Sequence, residues 1–157
     1  MRLYLVQHAQ ALTKEQDPDR PLSAAGRDDA GRVAAALAGA GVGLWRIRHS
    51  GKARARQTAE IMAAALAVED GVEAMAGLAP NDAVTAVVPD LSGWERDVML
   101  VGHMPFVARL AAYLLGEGEQ WPVLAFEPGT VACLERTAPD GWQLAWMLSP
   151  ALLPAHG

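Results

Sequence analysis

A chain of 157 residues that is 52% hydrophobic and 20% charged carries enough apolar material for one globular domain with its own core, expected to run over residues 1–157. Its net charge of −5 argues against a general nucleic-acid binder, whose grip on phosphate backbones needs a basic face. The lone Cys133 excludes an intrachain disulfide, and no stretch approaches the roughly 18 apolar residues of a membrane span, so the expected setting is the cytoplasm with neither nucleic acid nor membrane as partner.

Residues 3–6 read as a buried strand that stops at Gln7 and His8, and a charged loop containing Pro18 follows to Arg20. Ser23 is placed to cap a helix in which Ala30, Val33, Ala34 and Leu37 recur at helical spacing, with Gly39, Gly41 and Gly43 to stop it. Residues 45–50 alternate Trp45, Ile47 and His49 against Arg46 and Arg48, a second strand, and Gly51 permits a tight turn. The next helix lays Ala55, Thr58, Ala59 and Met62 along one apolar face and starts near Arg54.

A short strand is expected within residues 68–75, a loop over 77–82 and a helix over 83–91 ended by Ser92 and Gly93. Residues 98–102 form a buried strand that ends at His103, and Pro105 takes the first turn of a helix that Gly116 stops. Residues 129–136 and 142–148 read as two strands joined by a Pro139-Asp140-Gly141 turn.

Strands alternating with helices predict a three-layer α/β sandwich: a largely parallel central sheet, helices on both faces and a late antiparallel hairpin. Such sheets bind ligands beyond the carboxyl ends of their strands. Three expected strands end there in polar groups, at Gln7-His8, at His49-Ser50 and at His103. The stretch between Ala30 and Ala59 also holds no Asp or Glu but has Arg32, Arg46, Arg48, Lys52, Arg54 and Arg56. Either an anion site is kept free of negative charge there, or the segment is a solvated basic face.

An imidazole with one free nitrogen and the other held by an acceptor is a competent nucleophile toward phosphorus. Phosphoryl transfer asks otherwise for positioning and positive charge, which an arginine at a helix N-terminus and a second histidine can supply. Three histidines also suit zinc, but no HxH or HExxH spacing is present, so no metal and no cofactor is expected.

The segments "VQHAQA" (6–11), "RPLSAAG" (20–26), "HSGKARARQTAE" (49–60) and "LVGHMP" (100–105), in this order, resemble the histidine phosphatase superfamily. The short length and the closing "WQLAWMLSP" make the chain most similar to its SixA-type phosphohistidine phosphatases. The resemblance implies that His8 accepts the phosphoryl group and that Arg54 and His103 belong to the phosphate pocket. Arg20 stands where relatives keep an arginine that reaches the phosphate. Gln7 stands where the family's "RHG" has its arginine, Ala9 where it has glycine, and Gly51 where "SPxxR" has proline.

Gln7 keeps one donor but loses a charge and a fork, worth about 3 kcal/mol or roughly a hundredfold in rate if uncompensated. Lys52 and His49, beside the Ser50 turn, are candidates to return positive charge. The general acid of larger members has no clear counterpart here, the nearest acid being Asp82, and the resemblance to SixA-type members implies that none is required. The expected activity is hydrolysis of phosphohistidine on a partner protein, as in phosphotransfer signalling. The alternatives are a phosphate-binding module with little turnover and an enzyme acting on a small phosphomonoester. Trp121 and Phe126 are candidates for the pocket rim.

Overall fold

The computed structural model describes residues 1–116, 118–119, 122–137 and 141–155; Trp121 and the Pro139-Asp140 part of the expected turn lie outside them. The strands are β1 (Arg2–Gln7), β2 (Gly43–Leu44), β3 (Arg46–His49), β4 (Ala67–Val68), β5 (Val72–Ala74), β6 (Val98–Gly102), β7 (Val131–Thr137) and β8 (Gly141–Leu148). The helices are α1 (Ala24–Gly39), α2 (Ala53–Ala65), α3 (Val88–Gly93) and α4 (Phe106–Leu114).

One six-stranded sheet runs in the order β5-β3-β6-β1-β7-β8, while β2 and β4 form a separate two-stranded ladder. The β5-β3-β6-β1 half is parallel and β7 and β8 are antiparallel, so the late hairpin extends a parallel sheet as expected. Both faces are covered, which is why the first strand reads as an unbroken apolar run rather than an alternating one. Tyr4 and Val6 pack with Val33, Leu37 and Met62 of α1 and α2 on one side. Leu3 and Leu5 pack with Leu91, Phe106 and Leu110 of α3 and α4 on the other.

Two expected elements are broken in ways local chemistry explains. The helix over 83–91 divides into a 3₁₀ turn, Val84–Ala86, and α3, because Pro89 in the first turn of α3 has no N–H to continue the earlier ladder. The strand within 68–75 divides into β4 and β5 around Gly71, whose φ is +66°. Ser23 caps α1 as expected, accepting from the Gly26 N–H at 3.0 Å. A Cβ at Gly26 would stand 2.0 Å from the Gln10 carbonyl oxygen, so α1 can sit this close to the loop after His8 only with glycine there.

Candidate active site

The carboxyl ends of β1, β3 and β6 converge with the N-terminus of α2. The parallel register sets Gln7 of β1 beside Gly102 of β6 and His49 of β3 beside Val101, which leaves His8, Ser50 and His103 to emerge on one rim. A cavity of about 370 Å³ opens there, lined by Gln7, His8, Arg20, Arg54 and His103 among others. Residues far apart in the chain thus meet because parallel strands all present their carboxyl ends to the same side.

His8 is held from several directions. Its N–H donates to the Gly102 carbonyl at 3.0 Å, and its own carbonyl and that of Gln7 accept from the Gly129 N–H at 3.2 and 3.0 Å. Gly129 has φ +86°, and a Cβ there would press on Pro150 at 2.9 Å, so this clasp depends on glycine. The His8 ring Nδ1 lies 2.7 Å from the Ala9 carbonyl oxygen, an acceptor only, so Nδ1 carries the proton and Nε2 keeps its lone pair. Burial, and then the positive charges of Arg54 and Arg20, push its pKa down to about 4, against its hydrogen bond to Ala9. The ring is therefore neutral at pH 7.

The His103 ring lies 5.0 Å from that of His8 between centroids, and burial pushes its pKa down to about 3, helped by His8, Arg54, Lys52 and Arg20. Its Nε2 is 2.6 Å from the Ser50 hydroxyl, whose oxygen already accepts from the Lys52 N–H at 3.3 Å. With the Ser50 hydroxyl donating to Nε2, the proton of His103 stands on Nδ1, which is buried and, among the described residues, without a partner.

Arg54 also has a buried Nε with no partner, and among the described residues no carboxylate pairs with Arg20, Lys52 or Arg54. Burial, with Arg20 nearby, lowers the Arg54 guanidinium below its ordinary value. Arg20 itself has φ +48°, a left-handed conformation that costs a non-glycine residue about 1–2 kcal/mol, and its Nε donates to the Leu12 carbonyl at 3.0 Å. Unpaired cations around two neutral imidazoles make a receptor for an anion.

Not every candidate arrives. Lys52 is exposed and lies on an adjoining groove rather than in the cavity. His49 lines neither: its Nδ1 accepts from the Gly51 N–H at 3.0 Å, so it shapes the turn that carries Ser50 instead of facing a phosphate. Asp82 also lies on the groove, with its carboxylate accepting from the Ala79 N–H at 2.9 Å. Phe126 is half-buried and packs against the core cluster that includes Leu3, Leu5 and Phe106. Arg46 and Arg48 pair with Asp70, and Arg32 with Asp28 and Asp29, so half of the acid-free segment's cations serve the scaffold.

Thr58 has a part that its apolar-stripe position does not announce. Its hydroxyl donates to the Arg54 carbonyl at 2.8 Å and accepts from the Ala9 N–H at 3.1 Å, tying the loop of His8 to the turn of Arg54. Among the described residues no group of three His, Cys, Asp or Glu side chains is placed to hold a metal ion, and no helix is long and apolar enough to cross a membrane.

A family model for the histidine phosphatase superfamily (branch 1) matches residues 3–79, the part that carries Gln7, His8, Arg20 and Arg54. An uncharacterised protein of Picosynechococcus sp. is 37% identical over 112 residues, 67% of each chain. The chain belongs to the histidine phosphatase superfamily. The phosphohistidine phosphatase SixA of Escherichia coli K12 is 28% identical over 158 residues, covering 98% of this chain and 96% of that one. A solved structure of the protein histidine phosphatase SixA complexed with tungstate superposes with a TM-score of 0.84 at 27% identity, covering 97% and 99% of the two chains. The likeness to SixA therefore extends through β6, α4 and the closing hairpin, beyond the segment matched by the family model.

Proposed function

We propose that this histidine phosphatase superfamily member hydrolyses phosphohistidine on a protein partner through a phosphorylated His8, without a metal ion or cofactor. The observation that carries the reading is the His8 ring: Nδ1 tied to the Ala9 carbonyl, Nε2 free, and an unpaired Arg54 in the same cavity. Nε2 attacks phosphorus, and the P–N bond of the substrate breaks as its imidazole, protonated on the far nitrogen, leaves neutral. Arg54, Arg20 and the Nδ1–H of His103 take up the charge on the phosphoryl oxygens, with Gln7 as a neutral donor. Water then attacks the phosphorus of phospho-His8, the P–N electron pair returns to Nε2, one proton of the water passes to solvent, and hydrogen phosphate leaves with the other.

Among the described residues no Asp or Glu lines this cavity, which supports a substrate whose leaving group needs no enzymic acid. A phosphoramidate meets that condition, whereas an alkyl phosphomonoester must expel an alkoxide. Rapid quench with labelled phosphohistidine tests the reading. Acid-labile, base-stable label on the wild type and none on His8→Ala is the expected result, with an alkyl phosphomonoester turned over far more slowly. The neutral Gln7 favours one rival, a phosphate-binding module; saturable binding with no label and no phosphate release would establish it instead.

A further inference from the structure

Beside the phosphate cavity, and sharing Arg20, Arg54 and Pro80 with it, runs a groove of about 860 Å³, more than twice the cavity's own volume. A phosphoryl group and its imidazole do not need this space. Its walls bring together five cations, adding Lys14, Lys52 and Arg56 to the two shared arginines, against the carboxylates of Asp19 and Asp82. The Asp82 carboxylate is partly occupied by the Ala79 N–H. Lys14 and Lys52 have no ion pair among the described residues, and Arg56 reaches Glu60 of its own helix only at 3.7 Å. This concentration of positive charge occurs on a chain whose net charge is −5.

We infer that the groove receives an acidic polypeptide segment flanking the phosphohistidine of the substrate protein. The inference rests on the phosphohistidine reading above and adds what the partner must look like. Lys14, Lys52 and Arg56 are exposed. Such side chains suit the spread carboxylates of a protein surface, whereas a small ligand is normally fixed by a few rigid groups in a closed pocket. The field also orients the partner: an acidic surface is repelled by most of this negatively charged chain and attracted where the groove opens beside His8.

Lys14 and Arg56 lie outside the phosphate cavity, so their charge can be reversed without touching the chemistry. The test compares wild type with the Lys14→Glu, Arg56→Glu double variant, and with the milder Lys14→Ala, Arg56→Ala pair. The substrates are a histidine-phosphorylated domain with acidic residues around its phosphohistidine, the same domain with those acids replaced by Asn and Gln, and free phosphohistidine. Reversal is expected to raise KM for the acidic domain about tenfold or more at low salt, with kcat unchanged. The alanine pair should give a smaller rise, while the neutralised domain and free phosphohistidine stay within about twofold.

Binding of the acidic phosphodomain to the same charge variants built on His8→Ala gives a readout that needs no turnover. If the wild type hydrolyses nothing but this binding still weakens on charge reversal, the acidic partner stands and the hydrolytic reading falls. If hydrolysis proceeds and reversal moves neither KM nor binding, the groove's role is overturned. Equal losses on the acidic domain and free phosphohistidine would likewise overturn it.

Discussion

Gln7→Arg places a charge and a fork in the cavity proposed to hold the phosphoryl group, and the structure sets what it should do. Gln7 is 9% exposed and lines the cavity, and its Oε1 is buried without a partner among the described residues, so the change breaks no hydrogen bond among them. A neutral hydrogen bond contributes about 1 kcal/mol and a charge-assisted one about twice that, so a bidentate guanidinium should gain about 2–3 kcal/mol over the amide. That is roughly a 30- to 150-fold gain in phosphate or tungstate affinity. Without an anion, the new guanidinium would be a third unpaired cation beside Arg20 and Arg54, and the fold should lose a few kcal/mol. The assay is a thermal melt with and without phosphate, beside inhibition of phosphohistidine hydrolysis by tungstate. The expected outcome is a lower melting temperature alone and a larger rise on adding phosphate than in the wild type. A folded variant with unchanged oxyanion affinity would refute the placement of position 7 against the phosphoryl group.

Thr58→Val removes the acceptor of the Ala9 N–H and leaves that donor buried, so about 1–3 kcal/mol of stability should go in a urea titration. Its kcat should also fall, since Ala9 supplies the carbonyl that orients His8. Gly26→Ala sets a methyl 2.0 Å from the Gln10 carbonyl oxygen and should destabilise by about 2–3 kcal/mol; a wild-type urea midpoint would show that the helix shifts without strain. His8 and His103, held at about 4 and about 3, stay neutral where an unfolded imidazole, near 6.5, takes a proton. The unfolded chain therefore binds more protons below about pH 6.5, and stability should decline from there toward pH 4. Denaturation of wild type and His103→Asn across that range checks this, the variant showing the shallower decline.

Much of the architecture was legible because it rests on local signals. Unbroken apolar runs at β1 and β6 marked strands covered on both faces, Ser23 marked a helix start, and polar residues at three strand ends marked the rim where the cavity opens. The interruptions at Pro89 and Gly71 were written in the chain too, but an apolar pattern is a weak guide to where a short element breaks.

The identities of Gln7, His8, Arg54 and His103, and the absence of an arginine beside His8, were determined by the sequence alone. Which cations reach the cavity beside His8 was decided only in three dimensions. Lys52 and His49, near Arg54 in sequence, point to a groove and a turn, while Arg20, more than thirty residues from Arg54, enters the cavity on a left-handed backbone. The free Nε2 of His8 and the bridging hydroxyl of Thr58 also depend on partners brought by other elements. Sequence distance measures proximity along the chain, whereas the direction of a side chain at a strand end is set by the packing and hydrogen bonds of its neighbours.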